Sequence, residues 1–431
     1  MSELGIKLQV IVKNNILRQP KSACRKQWRR HTFRLYNYIK HLLRLQTGNR
    51  EVQEENMPNI FDYLEWRGDV PFDVDPFNDV DNLVLSELAY TVFDGLVPGN
   101  GLKVPLRKVR DGFFETHDRA LLEKSERHLD RAPLLMDGMM SGKRFSRTRL
   151  SDYISIVDAD KTLQIAALTF TLSDGSLYVA FRGTDSTIVG WKEDFIMSYR
   201  PETEGQRRAI KYLNRIGSKT RKPIRVGGHS KGGNFAVYAA AFADPKVKSR
   251  IIRVYTNDGP GFRNEVLKSK EYKETIPLIR NIVPDTSIIG MLLTNRIRPK
   301  VISSTEKGLF QHDALSWEVS RNDFVPAEIS DLGKFIRETQ EEWLEKIDDI
   351  QREIFVDTLF SLFEATGMGT FGAMNESRLK TIEKIIASTH ELSREKQKQL
   401  VKIAAGLVYS GGQNMKIWYS RLLEEFNEQG D

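Results

Sequence analysis

Ile224-Arg225-Val226-Gly227-Gly228-His229-Ser230-Lys231-Gly232-Gly233-Asn234-Phe235-Ala236-Val237-Tyr238-Ala239-Ala240 is a short apolar run that enters Gly-x-Ser-x-Gly and leaves as an Ala-rich stretch. The order strand, tight turn, helix is the sequence form of a nucleophile elbow. In such a turn Gly228 and Gly232 remove side chains that would collide, and Gly233 lets the helix approach the strand. Ser230 then stands at a helix N-terminus, where backbone N–H groups favour developing negative charge. The plainer alternative is a glycine-rich strand-to-helix turn with an incidental serine.

Outward from this segment the pattern stays strand-like. Leu163 to Leu172 and Leu177 to Phe181 flank Ser173-Asp174-Gly175 and read as a hairpin. A helix is expected from about Glu204 to Ile216, with Ala209, Ile210, Leu213 and Ile216 on one side. Ile224–Val226, Ile251–Thr256 and Leu278–Val283 read as strands separated by helix-forming segments. Strands alternating with helices predict an α/β class with a mainly parallel sheet and flanking helices.

Upstream, Asn82 to Leu96 carries a helical apolar stripe, and residues 105–150 read as partly helical, covering a core face or capping a site. Beyond about Asp323 the strand signal fades into charged helical periodicity. The expected organisation is an N-terminal extension at 1–56, an α/β domain at 57–325 and a helical C-terminal subdomain at 326–431. Gly367-Met368-Gly369-Thr370-Phe371-Gly372 has dinucleotide-binding spacing, but an apolar helical run precedes it where a strand is required. It reads as a helix-ending loop.

Among the 431 residues the net charge is +7, yet residues 1–56 alone carry 12 Lys and Arg against 4 Glu. The rest of the chain is therefore close to neutral, which argues against a nucleic-acid-binding body. Phe33, Leu35, Tyr36, Ile39, Leu42 and Leu43 fall near helical spacing among basic residues, a pattern suited to peripheral contact with an anionic membrane. The single cysteine, Cys24, excludes an internal disulfide or a cysteine metal cluster. No apolar run approaches the ~20 residues of a membrane span, and no signal-peptide pattern opens the chain. The expectation is a soluble cytoplasmic protein without metal or cofactor.

A serine nucleophile needs a base, and the chain has seven histidines. His31 and His41 lie in the extension, His117 and His128 precede the sheet, His229 adjoins the serine, and His390 is in the tail. His312, in Phe310-Gln311-His312-Asp313-Ala314, follows the last strands and suits the order Ser, acid, His. Asp258 and Asp285 each follow a strand, and position alone leaves the acid open between them. Lys231 as base would have to fold back sharply onto its neighbour. Tyr178-Val179-Ala180-Phe181-Arg182-Gly183-Thr184-Asp185 is a strand ending where Thr184 N–H could meet an oxyanion, with Lys231 N–H as companion donor. Trp191 and Asp194, close behind, read equally well as loop anchors.

Phe181-Arg182-Gly183-Thr184, the Gly190-Trp191-Lys192-Glu193-Asp194-Phe195 segment and Gly228 to Asn234, with Asn59 to Leu64 and Asp81-Asn82-Leu83, resemble the Mbeg-like family of bacterial lipase-like α/β-hydrolases. More distantly they are similar to class 3 lipases. The resemblance covers roughly Met57 to Val319. It implies an α/β-hydrolase-like fold with nucleophile Ser230, oxyanion donor Thr184, acid Asp285 in a Val-x-Asp segment, and base His312. The segment Tyr255-Thr256-Asn257-Asp258-Gly259-Pro260-Gly261 departs from the lipase Gly-Ser-Pro turn, and the lid expected after the oxyanion strand is short.

These readings converge on a serine esterase of acyl ester, thioester or lipid-like substrates, the alternative being a non-catalytic partner-binding protein on a hydrolase scaffold. Charge and pattern both change at Met57, and residues 53–56 can be encoded by a purine-rich ribosome-binding sequence. For a bacterial gene, translation is therefore expected to begin at Met57. Intact-mass measurement of protein from its native locus checks this; a mass that includes residues 1–56 contradicts it.

Overall fold

The computed structural model describes residues 57–334 apart from 126–127, 186, 288, 291–292, 307 and 332, together with 349–350, 352–353, 356–357 and 360. The chain divides at Asn56/Met57, and every described residue belongs to the second unit. The N-terminal extension, most of the expected helical tail, the 367–372 loop and His31, His41 and His390 lie outside the described residues.

Eight strands form one sheet in sequential order: β1 (Val104–Pro105), β2 (Arg149–Asp158), β3 (Leu163–Thr171), β4 (Leu177–Phe181), β5 (Ile224–Gly228), β6 (Ile251–Asn257), β7 (Ile279–Pro284) and β8 (Lys300–Ile302). Strands β1 to β4 pair antiparallel, and β4 to β8 pair parallel. Gly175, at φ 83°, makes the left-handed turn of the expected β3–β4 hairpin. The fold is α/β, a mostly parallel sheet with flanking helices.

The longer helices are α1 (Ile60–Arg67), α2 (Asp79–Leu88), α3 (Leu106–Phe114), α4 (Leu135–Ser141), α5 (Ile188–Ile196), α6 (Glu204–Ser218) and α7 (Lys231–Phe242). Parallel neighbours joined in sequence by right-handed crossovers place their connecting helices on one face. Accordingly Ala209, Leu213 and Ile216 of α6 and Phe235, Ala236 and Ala239 of α7 bury against Val179, Val226 and Val254. The other face, with Leu168, Tyr178 and Ile282, is covered by Leu83 and Leu88 of α2 and by Leu135 and Met139 of α4. The described residues of 105–150 thus include a cover for this core face.

Two polar networks fix that cover. Arg144, fully buried, donates Nε to Asp81 Oδ1 at 2.7 Å and Nη2 to Asp81 Oδ2 at 2.5 Å, and its remaining N–H groups reach the carbonyls of Val70, Asp75 and Pro76. A buried charge is tolerated when it is paired and its hydrogen bonds are met in this way. Asn82 of α2 donates to Asn257 Oδ1 at 2.8 Å, and Asn257 donates to Gly228 O at 3.1 Å, which ties α2 to the end of the elbow strand.

Candidate active site

Strand β5 ends at Gly228 and α7 begins at Lys231, leaving His229 and Ser230 to reverse the chain. Ser230 adopts φ 58°, ψ −133°, in the positive-φ region that a side chain disfavours. The close approach is visible at the glycines. A Cβ on Gly228 would lie 2.4 Å from the carbonyl carbon of Gly232, and one on Gly232 would lie 2.1 Å from Phe181 O. Ser230 N–H donates to Asn257 O at 2.9 Å, and its side chain does not cap the helix. The hydroxyl is left at the carboxyl ends of the parallel strands.

His312 sits in a 3₁₀ turn (Gly308–His312) with its Nδ1 2.6 Å from Asp258 Oδ2. Asp258 is fully buried at φ 48°, just past β6, and its N–H is held by Ile282 O. Its other oxygen accepts from Ser287 Oγ and from Gly290 N–H at 3.2 Å. The expectation that Asp285 holds the imidazole is therefore corrected: the carboxylate on His312 is Asp258. Asp285 lies one strand further out, where its Oδ1 accepts from Thr286 Oγ1 at 2.7 Å and Gln311 Nε2 at 2.9 Å. It steadies the turn that carries His312 through Gln311, the residue before it.

His229, 1% exposed, turns into the packing behind the elbow. Its Nδ1 lies 3.1 Å from Tyr90 Oη and 3.2 Å from Glu87 Oε1, and its ring centroid is 4.6 Å from that of His312. Burial pushes the Glu87 carboxyl well above the usual range, with the Asp313 charge adding to it. The pattern around Leu85 and Leu88 gives Glu87 a place on the buried helix, but nothing in it pairs that residue with His229.

The loop after β4 closes the other side. A Cβ on Gly183 would lie 2.9 Å from Ser230 Cβ and 2.3 Å from Tyr90 Oη, so only glycine lets this loop pass Ser230. Thr184 Oγ1 donates to Asp194 on α5. Among the described residues no hydrogen-bond acceptor faces the N–H of Thr184 or of Lys231. The Lys231 side chain, fully buried, runs to Glu193 Oε2 at 3.3 Å and Gly190 O at 3.2 Å. Glu193 is held in turn by the N–H groups of Gln164 and Gly205. Lys231 Nζ is thus an anchor of α5 and not a base. Asp194 and Glu193 were both inside the flagged Gly-Trp-Lys-Glu-Asp-Phe segment, and only the fold assigns them partners.

Of the remaining histidines, His117 stacks on Phe113 with centroids 4.0 Å apart, away from this cluster. Among the described residues, no group of three or more His, Cys, Asp and Glu could hold a metal ion, and no helix is long and apolar enough to cross a membrane.

Burial pushes the Asp194 carboxyl up to about 6, against the opposing pull of Lys231 and the Thr184 hydroxyl. A carboxyl raised in the folded state binds its proton more tightly there, so folding stability falls as pH rises between the unfolded and folded values. Relative to Asp194→Asn, the wild type should lose on the order of 3 kcal/mol as pH rises from about 4 to about 6, then level off. Denaturant unfolding of both proteins across that range checks it; a difference that stays flat or grows in the wild type's favour contradicts it.

A family model described as Mbeg1-like matches residues 139–361. No curated protein matches the chain. Solved structures that are similar include two lipases. The M37 lipase is 14% identical over 49% of this chain and 68% of its own, with a TM-score of 0.33. The Rhizomucor miehei lipase, in its propeptide complex, is 14% identical over 62% of this chain and 76% of its own, also at 0.33. The family match takes in β2 to β8, the elbow, Asp258 and His312, and spans more than half of the 431 residues; the chain belongs to the Mbeg1-like family.

Proposed function

We propose that this protein is a serine hydrolase that cleaves an acyl ester or thioester by way of an acyl-enzyme. The observation that carries the reading is Ser230 held at positive φ between strand and helix, next in sequence to His229, whose ring centroid lies 4.6 Å from that of the His312 gripped by Asp258. With Nδ1–H donated to Asp258, the imidazole presents Nε2 as the proton acceptor. Ser230 Oγ attacks the acyl carbonyl while its proton passes to His312. The tetrahedral oxyanion accepts hydrogen bonds from the N–H groups of Thr184 and Lys231. As the carbon–oxygen or carbon–sulfur bond to the leaving group breaks, the imidazolium returns its proton to the departing alcohol or thiol. Water, deprotonated by the same imidazole, then releases the acyl group as carboxylate.

Three features support this assignment. The positive φ is a strain of the kind that persists where the surroundings over-determine it. The Thr184–Asp194 contact fixes the loop bearing one donor, and the Lys231–Glu193 pair fixes the helix that follows it to the elbow. Donors aimed in advance at a developing charge need no reorganisation at the moment of reaction. The Asp258–His312 contact sets the tautomer, which an amide in place of the carboxylate would reverse.

Hydrolysis of a chain-length panel of activated esters tests the assignment. Ser230→Ala should abolish turnover and labelling by a fluorophosphonate probe. Asp258→Asn should lower kcat by about 10⁴-fold through the wrong tautomer, whereas Asp285→Asn should cost less than about tenfold. Equal turnover by wild type and Ser230→Ala would leave the non-catalytic scaffold as the better reading. A larger loss at Asp285 than at Asp258 would reverse the assignment of the acid.

A further inference from the structure

Three consecutive parallel strands carry the same dipeptide within their first three residues: Ile224-Arg225 in β5, Ile252-Arg253 in β6 and Ile279-Arg280 in β7. Arg225 pairs in register with Arg253, and Arg280 pairs with Tyr255, two residues along β6 from Arg253. Register partners share a face and side chains repeat every second residue, so the three guanidinium groups stand side by side on the face that α2 covers. They lie at the amino ends of the strands. Ser230 is five residues beyond Arg225, roughly 17 Å further along the strand direction, so the feature is separate from the candidate active site.

A cleft of about 410 Å³ opens there, with Arg225, Arg253 and Arg280 in its wall beside Phe77, Tyr255 and Asn322. Two acidic residues also border it, and both are already engaged: Lys300 Nζ donates to Asp79 Oδ2 at 2.8 Å and to Asp323. Arg225 is likewise fixed, donating to Asp174 Oδ2 at 3.0 Å and Ser176 Oγ at 2.5 Å, with its guanidinium 4.4 Å from the centre of the Phe77 ring. For Arg253 and Arg280, neither fully buried, the described residues supply no hydrogen-bond or ion-pair partner. Adjacent strands lie about 4.8 Å apart, and like charges set next to one another across a ladder oppose the pairing. A sheet that keeps two uncompensated arginines beside a third, at the mouth of a concavity, is shaped for an anion. The planar guanidinium fork suits phosphate oxygens, which it can grip in bidentate fashion.

We propose that the amino ends of β5, β6 and β7 form a binding site for a phosphate group, with Arg253 and Arg280 as its grips and Arg225 as its fixed wall. The cleft has room for a small phosphorylated molecule and falls within the size range of small-ligand pockets. A phospholipid headgroup would present the same chemistry, and the two sources are separated by experiment.

The test uses the full chain. Inorganic pyrophosphate is titrated at constant ionic strength in a calorimeter, and, in a second arm, phosphatidylcholine vesicles with and without phosphatidate are floated with the protein. The expected result is one saturable site in at least one arm, weakened by about tenfold or more in Arg253→Gln and in Arg280→Gln and unchanged in Lys268→Gln, an exposed lysine outside the cleft lining. Saturation by pyrophosphate identifies a free phosphate compound as the ligand class; flotation alone identifies a lipid headgroup. Without anion, both arginine variants should melt at or above the wild-type temperature, because a like-charge contact has been relieved. If either glutamine variant fails to fold, Arg253→Lys and Arg280→Lys, which keep the charge but lose the fork, should still weaken binding severalfold. Absence of saturable binding in both arms, or wild-type affinity in folded variants, overturns the proposal.

Discussion

A serine at φ 58°, ψ −133° costs on the order of 1–3 kcal/mol, and the candidate site is organised around keeping it there. The chain cannot relax by moving strand and helix apart. Gly228, Gly232 and Phe181 are already closer than side chains would allow, and Ser230 N–H is committed to Asn257 O. The Asn257 side chain in turn bonds Gly228 O and receives Asn82 from α2. Helices far from the elbow in sequence therefore bear on its backbone angle. The hydrophobic faces above and below the sheet supply the stability against which that strain is held.

The electrostatics around the elbow are layered. Ser230 itself is followed by the backbone N–H of Lys231, unengaged among the described residues. Around it stand the hydrogen-bonded pair of Asp258 with His312 and the buried ion pair of Glu193 with Lys231. Removing one member of the Glu193–Lys231 pair leaves the other buried and uncompensated, which makes it a positional constraint more than a source of net stability. The Lys231 pair is notable for its location: the residue that contributes a backbone N–H to the elbow also uses its side chain to fix α5, and α5 carries the Asp194 that holds Thr184. One residue thus links both expected donors.

Much of this was readable from the chain. The elbow, the β3–β4 hairpin and the three parallel strands each had a local pattern strong enough to survive tertiary context. His312 was reached by elimination among seven histidines. Strand β2 was not read because it changes phase. Its register slips between Ser151 and Ile154, with Asp152 at φ 58°, so the alternation that marks a strand is interrupted in its middle. The expected helix from Asn82 to Leu96 is instead Asp79–Leu88, capped at its start by Asn78, with the apolar run continuing as turn. The choice between Asp258 and Asp285 depended on which strand end faces the His312 turn. Both aspartates follow a strand; the resemblance to lipases favours Asp285, while the one in contact with His312 is Asp258. The positive φ that turns Asp258 toward the imidazole leaves no mark in composition or spacing. Buried partners such as Glu193 and Lys231 are 38 residues apart and are joined only by the fold.

The central claim is that Ser230 Oγ is the nucleophile. Treating the full chain with a phosphonate ester and mapping the modified residue by mass spectrometry of its peptides tests it most directly. The account predicts a single adduct on the peptide containing Ser230, formed more slowly in Asp258→Asn and at close to the wild-type rate in Asp285→Asn. An unmodified Ser230 under conditions that label other serine hydrolases, or an adduct confined to a different residue, would contradict it.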